Sequence, residues 1–224
     1  MRVPAPLTRR AAAECAGTML LVTAVVGSGI AAETLTPDPG VRLLVNALAT
    51  AGALVAILVA LGPVSGAHLN PAVSAAFAVF RGLPARDLLA YVAAQVLGGC
   101  LGAMLANAMY GLPAVELSRH ARGGTGVLLA EVVATAGLLL VVLGTVRSGR
   151  AAMAPFAVAA YIAGAYFFTS STSFANPAVT LGRMLSDTFA GIAPSSVAAF
   201  VLAEVAGLVV GIAGVRVLYP EEVA

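Results

Sequence analysis

The 224-residue chain is 60% hydrophobic and only 10% charged, with a mean hydropathy of +1.00. Soluble domains carry about 25% charged residues, so this composition excludes a soluble globular domain and describes a polytopic membrane protein. Twelve Arg, no Lys and ten acids leave a net charge of +2, with no basic run longer than Arg9-Arg10, which excludes a nucleic-acid-binding surface.

A helix needs about 20 apolar residues to cross the hydrocarbon core. Six stretches meet this requirement, at residues 10–32, 41–62, 86–110, 125–146, 152–170 and 195–218. No cleavable signal peptide is expected, because the first stretch is long and contains Glu14. Two shorter apolar pieces, near 70–80 and 176–186, each begin at Asn-Pro-Ala. Pro after a capping Asn is a helix start signal, so these pieces are predicted to be half-helices that enter the membrane and stop. The Arg distribution sets the orientation. With the N-terminus inside, Arg2, Arg9, Arg10, Arg81, Arg86, Arg147, Arg150 and Arg216 are cytoplasmic, against Arg42, Arg119, Arg122 and Arg183 outside.

The chain repeats itself. Ala13-Glu14-x-x-x-Thr18 returns as Ala130-Glu131-x-x-x-Thr135, and Asn70-Pro71-Ala72-Val73 as Asn176-Pro177-Ala178-Val179. Gln95, in Tyr91-Val-Ala-Ala-Gln95-Val-Leu-Gly98, has its counterpart in Glu204 of Phe200-Val-Leu-Ala-Glu204-Val-Ala-Gly207. Each half holds three spans, so the halves, about 10–110 and 124–218, are predicted to form an inverted repeat within a single domain covering 1–224. The two half-helices then enter from opposite faces, and broken backbone at that depth is tolerated only against protein or a wet cavity.

On these motifs the chain resembles the major intrinsic protein family, the aquaporins and aquaglyceroporins. The match runs over nearly the whole chain, through Ser65-Gly66-Ala67-His68-Leu69-Asn70-Pro71-Ala72-Val73-Ser74 and Phe174-Ala175-Asn176-Pro177-Ala178-Val179. The resemblance implies an all-α membrane fold of six transmembrane helices plus two re-entrant half-helices. It also implies a pore within each monomer, four monomers in the assembly, and a multi-pass protein of the cell inner membrane with both termini cytoplasmic. Asn70 and Asn176 would offer amides to a passing solute. Carbonyls of Gly66, Ala67 and His68, and of Thr172, Ser173 and Phe174, would form an acceptor ladder. Glu14 and Glu131, with Gln95 and Glu204, would support the irregular loops.

One departure bears on the substrate. Most of the family has Arg directly after the second Asn-Pro-Ala, and this chain has Val179. Counting from the motifs places Thr50, Gly164, Ser173 and Val179 in the outer filter, a ring without charge, His or aromatic. Arg183, four residues on, is read as a solvated residue of the outer mouth, with a place beside Val179 as the alternative. Such a ring favours small uncharged solutes, namely glycerol, urea and arsenous acid, besides water. It resembles that of bacterial members linked to arsenic resistance in which the Arg is replaced by a small apolar residue. A water-selective pore is the first alternative, and a proton- or ion-coupled transporter built around Glu204 the second.

Other residues have simpler readings. Cys15 and Cys100 are packing residues. With only His68 and His120 besides, no metal or other cofactor is expected. His68 lines the vestibule, anchors its loop, or does both. Small residues at Gly98, Gly102 and Ala106, and at Gly207 and Gly211, mark close helix contacts. No nucleophile with a paired base is present, so catalysis is not expected.

Overall fold

The computed structural model describes residues 5–219. Arg2 and the chain's last five residues lie outside that range. Among the described residues, eight α-helices follow one another. They are α1 (Leu7–Leu35), α2 (Pro39–Ser65), α3 (Pro71–Val79), α4 (Leu88–Met109), α5 (Thr125–Arg147), α6 (Ala154–Phe168), α7 (Pro177–Arg183) and α8 (Pro194–Leu218). Six of them are long and apolar enough to cross a membrane, counting the 3₁₀ turns that lead into α4 and α6. At 1.5 Å per residue α1 is about 43 Å long and α3 only about 14 Å, half the hydrocarbon thickness.

Local chemistry sets the helix ends. Asp38 caps α2, its carboxylate accepting from Val41 N at 2.9 Å, with Pro39 in the first turn. α2 runs on through Pro63 to Ser65, three residues past the predicted end, and stops where Gly66 turns left-handed at φ 89°. Asn70 and Asn176 cap α3 and α7, their Oδ1 atoms accepting from Ala72 N at 2.9 Å and Ala178 N at 3.0 Å. α7 ends at Arg183, short of the predicted 186, and the chain turns back as Leu185 N donates to the Gly182 carbonyl.

The helices pack in two similar groups. α1 lies along α4 and against α2, α5 lies along α8 and against α6, and α2 meets α6 between the groups. Glycines permit the closest approaches. A Cβ on Gly98 or Gly102 would strike the backbone carbonyls of Cys15 and Met19, and one on Gly207 would come within 2.7 Å of the Val132 carbonyl. α3 and α7 touch one another, and each packs against α4 and α8.

Candidate functional site: a lumen between the two half-helices

The segments before α3 and α7 repeat one another in backbone conformation. Gly66, Ala67 and Leu69 have positive φ, and so do Thr172, Ser173 and Ala175, the equivalent positions of the second loop. Non-glycine residues hold such angles only when their surroundings enforce them. Here the enforcing groups are buried carboxylates. Glu14 Oε1 accepts from His68 N at 2.9 Å and Ser65 Oγ at 2.6 Å, and its Oε2 from Leu69 N at 2.7 Å and Gln95 Nε2 at 2.8 Å. Glu131 accepts from Phe174 N at 2.9 Å and Ala175 N at 2.7 Å. Glu204 Oε1 accepts from Asn176 N at 3.0 Å and Thr180 Oγ1 at 2.7 Å. All three carboxylates lie away from solvent. Such burial costs several kcal/mol per ion unless hydrogen bonds satisfy it; both oxygens of Glu14 and of Glu131 are satisfied in this way, whereas Glu204 Oε2 has no protein partner.

With the loop N–H groups drawn to the carboxylates, the carbonyls are left over. Among the described residues, the carbonyls of Gly66, Ala67, His68, Thr172, Ser173 and Phe174 accept no protein hydrogen bond. The loops are braced to one another by the motif asparagines. Asn70 Nδ2 donates to the Ala175 carbonyl at 2.7 Å and Asn176 Nδ2 to the Leu69 carbonyl at 2.8 Å. Each amide carries two hydrogens, so one proton per asparagine remains free beside the lumen.

The lumen is a cavity of about 420 Å³, bordered on one wall by Gly66–Asn70 and Ser173–Asn176. The opposite wall is aliphatic. Leu54, Leu58 and Gly62 follow Thr50 down α2, Leu138, Val142 and Val146 run along α5, and Ala154, Val158, Ile162 and Tyr166 along α6. Each set has the four-residue spacing of one helix face. His68 borders the cavity, stacks on Phe77 at 4.5 Å between centroids, and holds Ser74 Oγ at 3.1 Å from Nδ1.

Thr50, Ser173 and Val179 all border this lumen. Gly164 does not. It lies on the exposed side of α6 next to Phe168, because two residues from Ile162 or Tyr166 is a rotation of about 200°. Its place is taken by Tyr166, whose hydroxyl is 3.1 Å from Thr50 Oγ1. Thr172 is likewise absent from the lining, whereas Ser173 and Phe174 border it. Arg183 is not solvated at the mouth. It is 2% exposed, borders the same cavity, and holds its guanidinium 3.4 Å from the Phe174 ring centroid. The expected uncharged ring without aromatics is therefore corrected to one containing Tyr166 and a buried cation. The signal for Tyr166 was present in sequence, since it continues the four-residue stripe 154–158–162.

Outside the lumen, the segments after α4 and after α7 are joined. Arg119 donates to Asp187 from its backbone N at 2.8 Å and its Nε at 2.6 Å. Those two bonds hold the Asp187 carboxyl below the usual carboxylate range, the backbone bond contributing most.

The family model described as Major intrinsic protein matches residues 3–175. The chain is 49% identical over 210 residues to the aquaglyceroporin AqpS of Rhizobium meliloti (strain 1021), covering 94% of this chain and 90% of the relative. It is 34% identical over 165 residues to aquaporin Z of Brucella melitensis biotype 1, covering 68% of this chain and 72% of the relative. Its fold matches the X-ray structure of the aquaglyceroporin from Plasmodium falciparum with a TM-score of 0.73 at 24% identity, over 98% of both chains.

Proposed function

The chain belongs to the major intrinsic protein family, and from that premise we propose that it is a passive channel conducting glycerol, other small neutral solutes and water through the lumen of each monomer. The observation that carries this reading is the two-faced lumen. Unpaired loop carbonyls and the asparagine amides form one wall, and aliphatic stripes of α2, α5 and α6 form the other. Buried carbonyls need a partner. A polyol supplies hydroxyls to the carbonyl wall and C–H groups to the aliphatic wall, so it can shed its water with little net cost. Diffusion of this kind needs no covalent step. The 49% identity to an aquaglyceroporin supports the same substrate class.

The finer assignments are parts of this proposal. Glu14, Glu131, Gln95 and Glu204 hold the loops, and among the described residues no carboxyl lines the lumen to couple transport to protons. The outer constriction is made by Thr50, Tyr166, Ser173 and Val179, with Arg183 bordering it. Arsenous acid, a small neutral trihydroxy compound, fits the same wall chemistry as glycerol. The two halves are an inverted repeat, a reading supported by the matched loop angles and by the paired contacts of α1 with α4 and α5 with α8. The protein is placed in the inner membrane as a homotetramer with cytoplasmic termini, the excess of Arg at one end supporting the orientation.

Stopped-flow light scattering on proteoliposomes tests the reading, with water, glycerol, urea and arsenous acid as probes. Glycerol and urea should enter faster than into empty vesicles, independently of a pH gradient. Water flux alone would overturn the solute reading. Flux that follows a pH gradient would overturn the passive one. Val179→Arg should narrow the ring and cut glycerol flux more than water flux.

A further inference from the structure

Arg183 is a buried cation without a carboxylate partner. Among the described residues its only hydrogen bond is from Nε to the Ala190 carbonyl, and no acidic oxygen lies within 4 Å. The side chain is positioned from two sides. The Phe174 ring lies under the guanidinium. The segment after α7 holds it from the other side and at the same time holds a second arginine. Arg122 donates to the carbonyls of Phe189 at 3.2 Å and Gly191 at 2.8 Å, the neighbours of Ala190. Phe189 N is itself tied to Glu33 Oε2 at 3.1 Å. Three consecutive carbonyls thus clamp two guanidiniums that share one aromatic ring, since Arg122 lies 5.2 Å from the Phe174 centroid. The terminal nitrogens of Arg183 have no protein partner and the residue borders the lumen beside Thr50, Tyr166 and Val179.

We propose that Arg183, clamped by the Phe189–Gly191 segment, is the specificity-determining residue of this pore: it donates to the oxygens of passing neutral solutes and bars cations. Val179, one helical turn before it, is thereby relieved of that role and leaves room in the ring. A fixed cation in a low-dielectric wall repels a second cation far more than the same charge does in water. The inference rests on the channel reading above.

Urea and guanidinium are planar, nearly isosteric probes that differ by one charge, and fluxes of both at low millimolar concentration into proteoliposomes test the proposal. The wild type should pass urea and exclude guanidinium. Arg183→Met should raise guanidinium entry at least about tenfold while urea still passes, and Arg183→Lys should keep guanidinium out. Comparable entry of urea and guanidinium in the wild type overturns the proposal without any variant. So does an Arg183→Met channel that passes urea and still excludes guanidinium. If Arg183→Met does not assemble, the wild-type ratio decides. A wild type that passes neither urea nor glycerol overturns the channel reading instead, and is thereby distinguished from failure of the Arg183 assignment.

Discussion

Gln95 donates through Nε2 to Glu14 Oε2 at 2.8 Å, and the corresponding place in the second repeat of the sequence is held by Glu204. Gln95 also reaches Ser74 Oγ at 2.8 Å, as Glu204 reaches Thr180 Oγ1. The two clusters have the same plan, but an amide nitrogen supplies two hydrogens where an ionised carboxylate supplies none. Glu204 Oε2 has no protein partner, and neither has Gln95 Oε1.

Glu204→Gln should therefore be tolerated. The amide oxygen keeps the bonds from Asn176 N and Thr180, and the amide nitrogen can donate to Glu131 as Gln95 does to Glu14. Thermal unfolding in detergent should show stability equal to the wild type or higher by about 1 kcal/mol, the worth of one hydrogen bond. Solute flux should be retained. A pH-insensitive wild type whose flux is abolished by this substitution would contradict the supporting role given to Glu204.

Glu14→Ala should be among the most damaging substitutions. It strands the backbone N–H groups of His68 and Leu69 and the donors of Ser65 and Gln95. Each buried orphan costs about 1–3 kcal/mol, and the left-handed residues Ala67 and Leu69 lose what enforces them. Folded yield and Tm in detergent should both fall sharply. Glu14→Gln, which keeps one acceptor oxygen, should fall between Ala and wild type.

Gly182 and Gly99 bring α7 against α4. A Cβ on Gly182 would sit 2.5 Å from the Gly99 carbonyl oxygen, and one on Gly99 equally close to the carbonyl of Ala178. Backbone cannot give way there, so Gly182→Ala should destabilise by about 1–3 kcal/mol and reduce flux by displacing α7. Gly52→Ala, where nothing lies within 4 Å, is the control. It should leave flux unchanged and stabilise α2 slightly, because Ala is the better helix former.

The Arg119–Asp187 bond should make the outer loops sensitive to acid. Asp187 is a carboxyl whose value is lowered in the folded protein. The stability it contributes is complete above its unfolded value of about 3.9 and is lost as pH falls through the lowered folded value. Hydrogen exchange at the amides of residues 118–122, corrected for intrinsic rate, should show protection at neutral pH that declines below about pH 4. In Asp187→Asn the protection should be weaker and flat with pH. An acid-sensitive profile in that variant would place the effect elsewhere.

Much of this protein was legible in the order of its residues, because the features concerned are local. Apolar runs of membrane length announce six helices, and Asn followed by Pro announces where α3 and α7 begin. The spacing of Ala-Glu-x-x-x-Thr and Asn-Pro-Ala also brought Glu14 and Glu131 into view as partners of broken backbone. Only the tertiary structure decided which residues face the lumen. Gly164 and Tyr166 are two positions apart, and the rotation of α6 against α2 and α5 turns one outward and the other inward. Arg183 is polar and lies at a helix end, so sequence alone put it in water. The Ala190 carbonyl and the Phe174 ring, which come from segments outside α7, fold over it and hold it beside the pore.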